Sequence, residues 1–94
     1  MKLVISPKIL AKLAAKVPPV TQEEILQCFA NRTTLYLIDN REEHQSDPPT
    51  RWFIAETDFG RKLKIAFVPR GKEVHIRSAF DPSPEAIAYY ESKH

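Results

Sequence analysis

The run from Arg51 to Phe80, RWFIAETDFGRKLKIAFVPRGKEVHIRSAF, constrains this chain more than any other part of it. β-branched and aromatic residues dominate three successive stretches, and the breaks between them fall at Asp58-Phe59-Gly60 and at Arg70-Gly71. That pattern predicts strands over 51–57, 61–69 and 73–80, joined by short turns and therefore antiparallel. The remaining segments must then supply whatever covers the resulting sheet.

Three helix starts are legible on either side. Ser6-Pro7 and Ser83-Pro84 each place a capping hydroxyl before a proline at the first helical position. Thr21-Gln22-Glu23-Glu24 is a capping box, in which the Thr21 hydroxyl and the Glu24 carboxylate satisfy reciprocal backbone donors. Pro18-Pro19 ends the first helix, because a residue before proline avoids helical angles. Leu3-Val4-Ile5 and Thr33 to Ile38 read as further strands. The order is β-α-α-β-β-β-β-α. The fold class is α+β: a small antiparallel sheet of four to five strands, packed by two N-terminal helices and one C-terminal helix, in a single domain over 1–94.

Composition narrows the classes of function. A chain of 94 residues that is 43% hydrophobic can form one modest core. The single cysteine, Cys28, lies in a helical apolar pattern and reads as a buried thiol without a disulfide partner. No apolar run is long enough for a membrane helix and no signal-peptide pattern opens the chain, so a cytoplasmic protein with no membrane contact is expected. The net charge of +2 is small, yet residues 61–77 hold six Lys/Arg against one Glu. Charge here is a matter of place.

Strand parity assigns the faces. With Arg70-Gly71 as a two-residue turn, Phe67 faces Val74, Ile65 faces Ile76 and Leu63 faces Ser78. Trp52 and Ile54 join this buried side. Phe53, Ala55, Lys62, Lys64, Ala66, His75 and Arg77 fall on the other, with Lys64 directly opposite Arg77. Like charges so placed repel, and either a carboxylate from Glu73 or Glu91 or a bound phosphate would relieve them. A cationic face of this kind suits RNA: Lys62 and Arg70 would hold backbone, and Phe53 and Tyr90 would meet bases. His75 would move protons while Lys64, Arg61 and Arg77 hold the scissile phosphate, with no metal or other cofactor. An ordinary solvated sheet face explains the same residues without function. The 39–47 loop, DNREEHQSD, matches no compact metal-ligand spacing and reads as solvated.

Several of these segments together resemble the BrnT family of toxins, within the RelE/ParE superfamily of bacterial type II toxin–antitoxin systems. The resemblance rests on Gly60-Arg61 followed by an apolar strand, Arg70-Gly71 at the hairpin, His75-Ile76-Arg77-Ser78-Ala79, and Tyr90-Glu91 near the end. Ser6-Pro7-Lys8, Val20-Thr21-Gln22-Glu23-Glu24 and Arg51-Trp52 extend it over most of the chain. It implies a metal-independent endoribonuclease toxin neutralised by a cognate antitoxin, with Arg61, Arg70 and Arg77 at the family's basic positions. The alternative is a non-catalytic RNA- or protein-binding module of the same fold. Two departures stand out: Lys16 is followed by Val17-Pro18-Pro19 where the family has Lys-His, and Phe80 follows Ser78-Ala79 where it has Arg. True ADP-ribosylhydrolases need aspartate clusters holding paired magnesium ions, which the four aspartates at 39, 47, 58 and 81 do not make.

Overall fold

The computed structural model describes residues 1–33, 35–39 and 48–94. Among them, β1 (Lys2–Val4), α1 (Pro7–Ala14), α2 (Gln22–Asn31), β2 (Leu37–Ile38), β3 (Arg51–Glu56), β4 (Lys62–Arg70), β5 (Glu73–Phe80) and α3 (Pro84–Ser92) follow the expected order. The caps form as their chemistry dictates. Ser6 and Ser83 accept from the amides of Ile9 and Ala86, and Thr21 and Glu24 close the capping box. The first helix stops at Ala14, three residues before Val17, whose peptide bond to Pro18 is cis.

The strands lie in the order β1-β5-β4-β3-β2. β2 through β5 are antiparallel, whereas β1 runs parallel to β5, pairing Lys2 with Glu73 and Val4 with His75. The sheet is therefore mixed, because β1 reaches β5's edge without a hairpin. The strand expected over Thr33 to Ile38 shortens to two residues.

The expected β4–β5 register is corrected. Arg70 pairs with Glu73, so the two turn residues are Gly71 and Lys72. Gly71 has φ of 61° and Lys72 has no positive φ, which puts glycine first in the turn, as a II′ hairpin requires. Phe67 consequently faces Ile76. A bulge follows: Ala66 faces Ser78, Ile65 faces Ala79 and Lys64 faces Phe80, leaving Arg77 without an opposite residue.

That register settles the faces. Phe53, Leu63, Ile65, Phe67, Ile76 and Ala79 form one side, against Ile25 and Cys28 of α2. Phe29 meets Phe53 and Phe67 edge-on at 4.8 and 5.3 Å, and Tyr36 meets Phe67 at 4.8 Å. The second side carries Trp52, Ile54, Lys64, Ala66, Val68, His75, Ser78 and Phe80. α3 covers its β3 end, where Trp52 packs on Tyr89 and Tyr90, and α1 packs beside β5. Trp52 and Phe53 have thus exchanged the sides the expected parity gave them.

Phe53, expected to stack a base, is fully buried at the centre of the aromatic cluster. Truncating a core phenylalanine removes its contacts and leaves a cavity, at a cost of about 3–5 kcal/mol. Phe53→Ala will lose about that much unfolding free energy in a urea titration, or the chain will fail to fold at all.

Candidate functional site

Five basic side chains converge on the second side of the sheet. Lys8 and Lys12 come from α1, Arg70 from the end of β4, and His75 and Arg77 from β5. They line a concavity of about 560 Å³ whose apolar lining includes Val4, Ala66 and Val68, and Asp39 and Thr50 line it as well. α1 places its two lysines one turn apart, so both reach the groove. Arg77, the bulged residue, lies two positions beyond His75, and both line the groove. The arrangement is a cationic trough on an apolar base, which strengthens its field relative to charges fully surrounded by water.

His75 has a partner at the rim. Its Nε2 lies 2.9 Å from Glu73 Oε1, and Lys2 Nζ lies 3.9 Å from the other oxygen of that carboxylate. A carboxylate only accepts, so the ring proton sits on Nε2 and Nδ1 of the neutral ring is the available base. His75 is thereby oriented by Glu73, two residues before it on β5.

The other expected site residues lie elsewhere. Arg61 does not reach the groove. Its guanidinium donates to Asp81 at 2.9 and 3.1 Å, to Glu24 at 3.3 Å, and to the carbonyls of Pro18 and Pro19 at 3.0 and 2.7 Å. Thr57 fixes the residue's position, since its hydroxyl accepts the Phe59 and Arg61 amides in the β3–β4 turn. Arg61 thus joins the α1–α2 connection, the start of α2 and the segment after β5. The hydrogen bond to Asp81 raises the guanidinium's already high pKa and holds the Asp81 carboxyl below its ordinary range.

Lys64 is not opposite Arg77. Its ammonium lies 4.4 Å from the Trp52 ring and 5.6 Å from the Phe80 ring, in a second concavity of about 650 Å³. The two concavities share Asp39, Ala66 and Ser78, so they are neighbours on one surface. Lys62 belongs to a third depression, beside Glu56, Asp58 and Glu91. Tyr90 is buried, packed on Trp52 and His94 with its hydroxyl 3.5 Å from the Leu35 carbonyl. Its neighbour Tyr89 is the exposed one, at 53%. Alternation along β4 put the lysines on the correct side. Lys8 and Lys12 were passed over because their helical spacing reads equally as a solvated face.

Cys28 is no nucleophile. Burial pushes its thiol up to about 12, nearby Glu24 adds to this, and Sγ donates to the Ala55 carbonyl at 3.6 Å. Among the described residues no cluster of His, Cys, Asp and Glu is placed to hold a metal, and residues 40–47 of the acidic loop lie outside them. No helix among them is long and apolar enough to cross a membrane. Compared with family models, curated proteins and solved structures, the chain matches none.

Arg61→Ala will lower unfolding free energy by about 2 kcal/mol, because it removes several charge-assisted hydrogen bonds from a side chain only 18% exposed. Asp81→Asn will cost less than about 1 kcal/mol, since Asp81 is half exposed. Asp81's depressed pKa makes its contribution present above about pH 4 and lost as acid titrates the folded carboxyl. The gap between the original chain and Asp81→Asn, measured by denaturation, will therefore close on acidification.

Proposed function

We propose that this chain is an RNA-directed domain of the toxin kind, binding single-stranded RNA along the groove of Lys8, Lys12, Arg70 and Arg77 and cleaving it with His75. The observation that carries the reading is the convergence of four exposed cations and a histidine on one concavity of a protein whose net charge is only +2. Phosphate backbones supply the charge such a trough accepts, and a single strand can follow its curve.

In the cleavage step, His75 Nδ1 takes the proton of a ribose 2′-hydroxyl. The freed oxygen attacks the adjacent phosphorus and the bond from phosphorus to the 5′-oxygen breaks. The departing oxygen gains a proton from a groove ammonium or from water, leaving a 2′,3′-cyclic phosphate and a 5′-hydroxyl. Arg70 and Arg77 stabilise the crowded, doubly charged phosphate between these events. Glu73 holds the imidazole and supports the positive charge that develops on it. An acidic partner occluding the trough, as an antitoxin would, is the corresponding means of control.

A second reading is favoured by a specific observation. Arg61, one of the basic positions implied by the family resemblance, is consumed by Asp81, Glu24 and two backbone carbonyls. A domain that binds RNA without cutting it fits that loss.

Four phosphate contacts predict that affinity for a short RNA will fall ~50-fold between 50 and 200 mM salt. Arg77→Ala will weaken binding and reduce the logarithmic salt slope by about 0.7. In the presence of EDTA, fragments with cyclic-phosphate ends will accumulate, and His75→Ala will slow their formation by about 100-fold or more without loss of affinity. Salt-sensitive binding without fragments would select the second reading. RNA affinity that ignores salt, or none at all, would sink both.

A further inference from the structure

The concavity next to the basic groove has the composition of a base-binding slot. Its lining includes Trp52, Phe80 and Tyr89, with the Lys64 ammonium within it and the Glu85 carboxylate on the first turn of α3. Trp52 and Tyr89 lie nearly parallel, 23° apart with centroids separated by 6.1 Å. Tyr89 is half exposed while Trp52 is only 8% exposed, so the tyrosine is the wall a flat ligand meets and the tryptophan lies beneath it. Asp39 and the small residues Ala66 and Ser78 are common to this slot and the groove. A strand laid over the basic groove can therefore turn one base into the adjoining slot.

We propose that this slot reads a guanine in single-stranded RNA bound along the groove. The inference rests on the RNA-binding reading given above and adds the identity of a base. Aromatic walls accept any base, because every base has a π-face. The polar groups discriminate. A carboxylate accepts only, and its two oxygens match the N1 and N2 donors along one edge of guanine. An ammonium donates only, and it suits guanine's O6 and N7 acceptors. Uracil offers one N–H between two carbonyls, and adenine lacks the paired donors.

The chain has one tryptophan, so its fluorescence reports directly on the slot. RNA heptamers UUUXUUU, with X as G, A, C or U, would be titrated at low salt, following both anisotropy of an end label and Trp52 emission. The G heptamer will bind about tenfold more tightly than the U heptamer, and it alone will strongly change Trp52 emission. Glu85→Gln will reduce the preference to less than about threefold while leaving affinity for the U heptamer unchanged. Tyr89→Leu, a change at an exposed position, will weaken the G heptamer selectively. Arg77→Ala will weaken all four heptamers alike, which separates groove from slot. Equal binding of the four with unchanged emission, or preference for another base, overturns the slot and leaves the groove intact. Failure of every heptamer to bind overturns both.

Discussion

One extra residue in β5 governs the arrangement of both faces. In an unbroken strand, Ile76 and Ala79 would point to opposite sides, since side chains alternate. The bulge at Arg77 lets both face the core, opposite Phe67 and Ile65. The same step puts His75, Ser78 and Phe80 together on the other side. Without it the β5 residues beyond Arg77 would change faces, withdrawing Ala79 from the core and Phe80 from the slot. Core packing and the candidate site therefore impose the same local irregularity, and neither can be altered without disturbing the other.

Electrostatics divides the basic residues into two groups with different work. Arg61 is held by two carboxylates and two carbonyls, and it ties three backbone segments that share no strand pairing. Glu24 serves both this clasp and the capping box, accepting from the Thr21 amide at 3.0 Å as well as from Arg61. The start of α2 is thus anchored to the foot of β4. Lys8, Lys12, Arg70 and Arg77 instead remain exposed around the groove. Proximity in sequence did not separate these roles; packing did.

Much of the fold could be read from local chemistry. The three caps depend on hydroxyls, a carboxylate and prolines at fixed offsets, and each formed where those residues stand. The three long strands followed from their composition. The cross-strand partners needed the turn's register and the faces beyond Ile76 needed the bulge, and neither leaves a decisive local mark. Placing Gly71 second rather than first in the turn shifted every cross-strand partner in β5 by two residues, and the bulge added one more beyond Ile76. Phe53 and Trp52 depend instead on the β3–β4 register, which pairs Phe53 with Ile65, and adjacent aromatic residues are equally plausible on either side of a sheet. His75, Arg70 and Arg77 were found by charge and place along the hairpin. Lys8 and Lys12 needed the tertiary path of α1, which no helical periodicity contains.

The groove's positive field comes from where the acids go rather than from an excess of bases. With 14 basic and 12 acidic residues, a random distribution would leave little local charge. Glu24 and Asp81 are occupied by Arg61, away from the trough. Glu73, beside His75, is shared between Lys2 and His75. Each of these three carboxylates is matched by a cation outside the four groove residues, while Asp39 lines the groove itself. Repulsion among Lys8, Lys12, Arg70 and Arg77 costs the folded state some stability, but exposure to water and salt keeps that cost small. A bound polyanion replaces mobile counterions at all four positions at once, so the arrangement favours a chain of phosphates over a single one.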